Sequence, residues 1–93
     1  MYKIHFTKLA ENDLFELVQY ITDVLKSPIS AKSILDLIEE QIKSLKDKPL
    51  RYPFVSDEYL KSKGIRALQV KNYQVFYIVN ENDSTVGIIR ILY

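Results

Sequence analysis

The sequence predicts an α+β fold, with a helical hairpin packed on one face of a mainly antiparallel sheet. Three observations carry this. Two long segments repeat apolar residues at helical spacing, three later segments carry strand patterning, and the links between those strands are too short for crossovers. The predicted element order is β-α-α-β-β-β, in one domain spanning residues 1–93.

At the start, Tyr2, Ile4 and Phe6 alternate with Lys3 and His5, which is the period of a short strand. Thr7 follows as a helix cap, its hydroxyl accepting a hydrogen bond from the backbone near Ala10. Leu14, Leu17, Val18, Ile21, Val24 and Leu25 then form one apolar stripe, and Glu11, Asp13, Glu16 and Asp23 lie largely off it. This spacing predicts a helix of about 18 residues. Ser27 and Pro28 suit the cap and first position of a second helix. Its stripe is Ala31, Ile34, Leu35, Ile38, Ile42 and Leu45, and Pro49 ends it.

Residues 49–64 lack periodicity and contain Pro49, Pro53 and Gly64, so they read as a long connection with one turn of helix near Asp57 to Lys61. Irregular segments of this length are often functional. From Ile65 the pattern is β. Arg66, Leu68 and Val70 alternate with Ala67, Gln69 and Lys71, and Lys71-Asn72 reads as a tight turn with asparagine at positive φ. Tyr73 to Val79 is apolar on both faces, as a central strand should be. Asn80 to Asp83 forms another turn before a last strand, Thr85 to Tyr93. A meander of these three strands leaves one sheet face for the helices and the other free for a ligand.

Composition narrows the function. With 93 residues, 47% hydrophobic and no cysteine, the chain has material for a core but none for disulfides or thiolate metal sites. His5, the single histidine, cannot form a histidine cluster, and neither metal nor organic cofactor is expected. No apolar run approaches the roughly 20 residues that span a bilayer, and the start lacks signal-peptide layout, so a cytoplasmic location is expected. Net charge is +1, but unevenly spread: −3 over residues 1–42, +5 over 43–74 and −1 over 75–93. A basic middle third either marks an anionic partner or is a solvated lysine-rich face.

Several segments together resemble the RelE/ParE superfamily of toxins from type II toxin–antitoxin (plasmid stabilisation) systems. They are Ala10 and Leu14 opening the first helix, Tyr20-Ile21 late in it, Gly64-Ile65-Arg66-Ala67-Leu68, Val70 to Tyr77, and Val86 to Tyr93. The resemblance implies a toxin that inhibits growth, held in check by an antitoxin. Two targets are known in the superfamily. ParE-like members poison DNA gyrase, and RelE-like members cleave mRNA in the ribosome without metal. An inactive or truncated member retaining only antitoxin binding is the third reading, because many relatives continue with a short basic tail and this sequence ends at Tyr93.

If the chain is an endoribonuclease, Arg66 and Arg90 are the catalytic candidates, since a guanidinium is always charged and matches phosphate oxygens. Each has a plain structural alternative: Arg66 as a surface or salt-bridge arginine, Arg90 as the ion-pair partner of a helix-one acid. Lys63, Lys71, Gln74 and Tyr93 are candidates for contact with nucleic acid or target. Gln74 stands where RNA-cleaving relatives usually carry arginine, and glutamine offers no charge to a developing phosphate, so the balance tips toward the ParE-like reading. His5 reads as a structural or surface residue, and Tyr73 and Tyr77 as core. Leu9, Phe15 and Leu37 are the apolar residues expected to remain for the antitoxin, itself expected as a helix followed by an extended strand.

Overall fold

A computed structural model describes residues 1–25 and 28–93. Strand β1 (Lys3–Phe6) leads into helix α1 (Lys8–Tyr20), which continues as a π-helical turn over Ile21–Leu25. Helix α2 (Pro28–Lys43) ends in a 3₁₀ turn, Ser44–Lys46. A short helix, α3 (Glu58–Ser62), precedes strands β2 (Ile65–Val70), β3 (Tyr73–Asn80) and β4 (Thr85–Leu92). The sheet order is β1-β4-β3-β2. The three later strands form the expected antiparallel meander, while β1 runs parallel to β4 at the far edge.

Local chemistry accounts for most boundaries. The Thr7 hydroxyl accepts from Ala10 N at 3.1 Å and donates to Ile89 O at 2.9 Å, so one side chain both caps α1 and ties it to β4. Asp57 caps α3 through Leu60 N, and Gly64 follows that helix at φ +80°, the left-handed position a helix C-terminus favours. The predicted Ser27 cap lies outside the described residues, as do the Val24, Leu25 and Ala31 side chains of the two stripes. α2 stops well before Pro49, because the chain tightens into the 3₁₀ turn first. At the β2–β3 turn the positive φ (56°) falls on Lys71 and not on Asn72, so the expectation for asparagine is corrected. A two-residue hairpin with only its first residue left-handed matches the strand twist in this way.

The core lies between the helical hairpin and one sheet face. Ala10, Leu17, Ile21, Ile38, Ile42 and Leu45 from the helical side meet Leu68, Val70, Tyr73, Val75, Tyr77, Val86, Ile88 and Ile91 from the strands. Tyr77 is fully buried, and its hydroxyl donates to Pro49 O at 2.8 Å. That bond anchors the 49–64 connection under the sheet end. The opposite face carries the half-buried pairs Ala67–Phe76 and Ile65–Ile78.

Candidate functional site

Three surfaces gather the residues singled out above, and they lie in different parts of the molecule. The first is at the end of β4. β1 stops at Phe6, opposite Ile88, so β4 runs on with one edge unpaired. Asp13 of α1 fills that gap. Its carboxylate accepts from Ile91 N at 2.9 Å and from Arg90 Nε and Nη2 at 2.7 and 3.0 Å. The hydrogen bonds from Arg90 hold the Asp13 carboxyl below the usual carboxylate range, and Asp13 in turn raises the arginine. Arg90 is therefore the partner of a helix-one acid, as one of its two readings had it. A cleft of about 400 Å³ opens beside this pair, walled by Tyr20, Tyr73 and Tyr93, with the Tyr73 and Tyr93 rings edge to face at 5.2 Å. Lys71 and Tyr93 line an adjoining hollow around the β2–β3 turn.

The second surface is the edge of β2. The backbone at Phe54 bridges to Arg66, and Val55 N donates to Ile65 O, so the connection acts as a stub of a fifth strand. Arg66 donates to Tyr52 O at 2.6 Å and to Leu50 O at 3.3 Å, and its guanidinium lies 4.1 Å from the centre of the Phe54 ring. Register puts Arg66 opposite Tyr77 but Arg90 opposite Phe76, next to a bulge in the β3–β4 ladder. The two arginines stand two strands apart and each holds an internal partner, so the structure does not bring them together. Lys63 lies over the Tyr59 ring at 5.3 Å, and Gln74 is exposed, paired with Gln69 and Leu92.

The third surface surrounds β1. Leu9 and Phe15 are 56% and 64% exposed on α1. Ile4, Phe6 and Leu14 line a groove of about 420 Å³ that runs between α1 and α2 to Leu35 and Ile38. Leu37 does not belong to it as an open contact. It is half-buried and packs against the core. His5 is exposed, and Tyr73 and Tyr77 are core residues. Burial raises both phenols, Tyr77 to about 12. Among the described residues no group of three His, Asp or Glu side chains is placed to hold a metal, and no helix is long and apolar enough to cross a membrane.

Sequence reasoning had a helix-one acid as one reading of Arg90 without singling out Asp13, and it missed Leu50, Tyr52 and Phe54 as neighbours of Arg66. Asp13 was visible only as a polar residue off the helical stripe. The run Arg51-Tyr52-Pro53-Phe54 was a signal, since one cation is followed by two rings within an irregular segment.

This architecture recurs in solved toxin–antitoxin structures. One chain of the chromosomal ParDE system of P. aeruginosa superposes with a TM-score of 0.72 at 22% identity, covering 99% of this chain and 95% of that one. A chain of the RelBE2 complex of Mycobacterium tuberculosis gives 0.68 at 22% identity, covering 99% and 96%. A chain of the E. coli RelBE complex gives 0.61 at 11% identity, covering 99% and 95%. No curated protein matches by sequence. The fold is thus that of the RelE/ParE superfamily. Residues 4–93 match the family described as the ParE toxin of the type II toxin–antitoxin system parDE, and the chain belongs to that family.

Proposed function

We propose that this chain is a ParE-like toxin that acts by binding DNA gyrase, and that it does so without catalysing a reaction. The observation that carries this reading is the state of its two candidate catalytic arginines. Phosphoryl chemistry on RNA needs unpaired cations aimed at one phosphate, yet Arg90 is neutralised by Asp13 and Arg66 is held by Tyr52 and Leu50 carbonyls. Gln74 adds no charge on the open face. The family match to ParE toxins supports the same choice.

Neutralisation follows from the β1 surface. β1 is an edge strand, and in a parallel ladder alternate residues point their N–H and C=O outward, here Ile4 and Phe6. An antitoxin strand added along that edge, with its preceding helix in the groove beside Leu14, would cover Leu9 and Phe15 as well. We place the protein in the cytoplasm, where its target is.

The test is induction of the chain in cells lacking the antitoxin, with pulse labelling of DNA and of protein. An early block in thymidine incorporation, with amino-acid incorporation spared at first, is the expected result. An early collapse of translation would overturn the gyrase reading in favour of a ribosomal target. Failure of the adjacent gene product to bind at micromolar concentration would remove the antitoxin.

A further inference from the structure

The cleft at the end of β4 has a chemistry that neither the gyrase reading nor the β1 surface uses, and it shares no lining residue with the groove beside β1. Its walls are three phenol rings from distant parts of the chain: Tyr20 at the end of α1, Tyr73 at the start of β3 and Tyr93 just past β4. Tyr20 and Tyr93 are 51% and 83% exposed, whereas Tyr73 is buried and meets the Tyr93 ring edge to face. Two rings at that angle form a corner, and Tyr20 adds a third side. Burial, and after it the Tyr20 and Tyr93 phenols, raise the Tyr73 phenol, a sign that the three hydroxyl groups stand near one another.

Two carboxylates, Asp13 and Glu16, and one guanidinium, Arg90, also line the cleft. Asp13 and Arg90 are bound to each other, so their charges offset. Arg90 is raised first by its bond to Asp13 and also by the charge of Glu16, which therefore stands close by. Yet the ion pairs among the described residues are Lys43–Glu39 and Arg90–Asp13, and Glu16 belongs to neither. One negative charge thus remains unbalanced among three ring faces. Lys71 lines the adjoining hollow and not the cleft. A volume of about 400 Å³ is room enough for one long side chain.

We propose that this cleft receives an arginine side chain presented by a partner protein, with the guanidinium stacked on the exposed Tyr20 and Tyr93 rings and hydrogen-bonded to Glu16. A ring's quadrupole attracts a cation to its face, and a guanidinium adds a flat surface for stacking and a fork of N–H groups that fits a carboxylate. A quaternary ammonium has no N–H for Glu16, and a lysine ammonium holds its water more tightly. A nucleotide can stack on the same rings, but its phosphate meets Glu16 with like charge. Arg90 keeps its hold on Asp13 throughout.

The test is an amide NMR titration of the purified chain with the blocked tripeptide acetyl-Ala-Arg-Ala-amide in low salt. Shifts should centre on Glu16, Tyr20, Tyr73 and Tyr93, and the citrulline counterpart, alike in shape but uncharged, should leave them in place. Tyr20→Leu should weaken binding roughly two- to thirtyfold, the range for one cation–ring contact. Glu16→Gln should weaken it by up to about fivefold, as for an exposed ion pair, and flatten its salt dependence. Glu40→Gln on α2 should change nothing. The spectrum of each variant separates loss of binding from loss of fold. No shifts at the cleft would overturn the proposal. So would binding indifferent to Tyr20→Leu in a folded variant, or equal affinity for the lysine counterpart, for tetramethylammonium or for uridine monophosphate. A chain that self-associates in sedimentation until Glu16→Gln releases it would also overturn it, by giving the cleft to a second copy.

Discussion

Replacing Asp13 by alanine should cost about 2–3 kcal/mol of stability, more than a polar residue on a helix usually does. The size follows from what the carboxylate holds. It accepts three hydrogen bonds, two from Arg90 and one from Ile91 N, and its side chain is only 10% exposed. Arg90 is 39% exposed and recovers water when its partner goes, so that half of the loss is modest. Ile91 N is different. Ile91 is 4% exposed at the point where β1 has ended, and an unsatisfied buried amide costs roughly 1–3 kcal/mol. Loss of the charge-assisted bonds to Arg90 adds about 1 kcal/mol. Asp13→Asn keeps an acceptor for Ile91 N and should cost only about 1 kcal/mol. Urea denaturation is the assay. With an m-value of about 1–1.5 kcal/mol/M for a small protein, the alanine variant's midpoint should fall by roughly 2 M. The pH dependence has a fixed sign. Because Asp13 in the folded protein titrates below its ordinary value of 3.8, the unfolded chain takes up the proton more readily. The contribution is complete above that value and disappears as pH falls through the folded one, and Asp13→Asn should lack this acid-limb loss. A midpoint for Asp13→Ala within 0.3 M of wild type (about 0.4 kcal/mol at that m-value) would refute the account. So would an additive double-mutant cycle with Arg90→Met.

Two further outcomes are expected. Lys71→Gly should stabilise the protein by about 1 kcal/mol in the same urea assay, because glycine removes the steric cost of φ 56° at the β2–β3 turn. Tyr77→Phe should cost about 1–2 kcal/mol by leaving Pro49 O unpaired, and spectrophotometric titration of the wild type should show one phenol titrating only near pH 12, absent in the variant.

How far the sequence carried depended on the range of the interaction. Elements defined by their own periodicity were legible. The stripes through Leu17 and Ile21 and through Ile38 and Ile42 do face the sheet, Thr7 does cap α1, and the central strand is β3. Which particular distant residues pair was not. Asp13 and Arg90 are 77 positions apart, and only the early end of β1 makes that pairing possible. The bulge between Phe76 and Tyr77, which re-registers β4 near Arg90, has no mark in a run apolar on both faces. Arg66 read as a catalytic, surface or salt-bridge arginine because the carbonyls it holds belong to a segment without periodicity. Leu37 looked free for a partner because a stripe shows which side of a helix is apolar but not how deep it sits.

The adjacency of β1 and β4 has a consequence for how the protein comes into being. The first strand made can pair only with the last, since no other strand borders it. Lys3 to Phe6 must wait for Thr85 to Ile88 to leave the ribosome, with the whole helical hairpin and meander made in between. Contacts this far apart in sequence form late. Until they do, Thr7 has no Ile89 carbonyl to bind and Asp13 no Ile91 amide to cap. A half-synthesised chain therefore has neither the β1 edge nor the closed end of β4 in place. A partner that recognises the β1 edge has nothing to hold until β4 has been made.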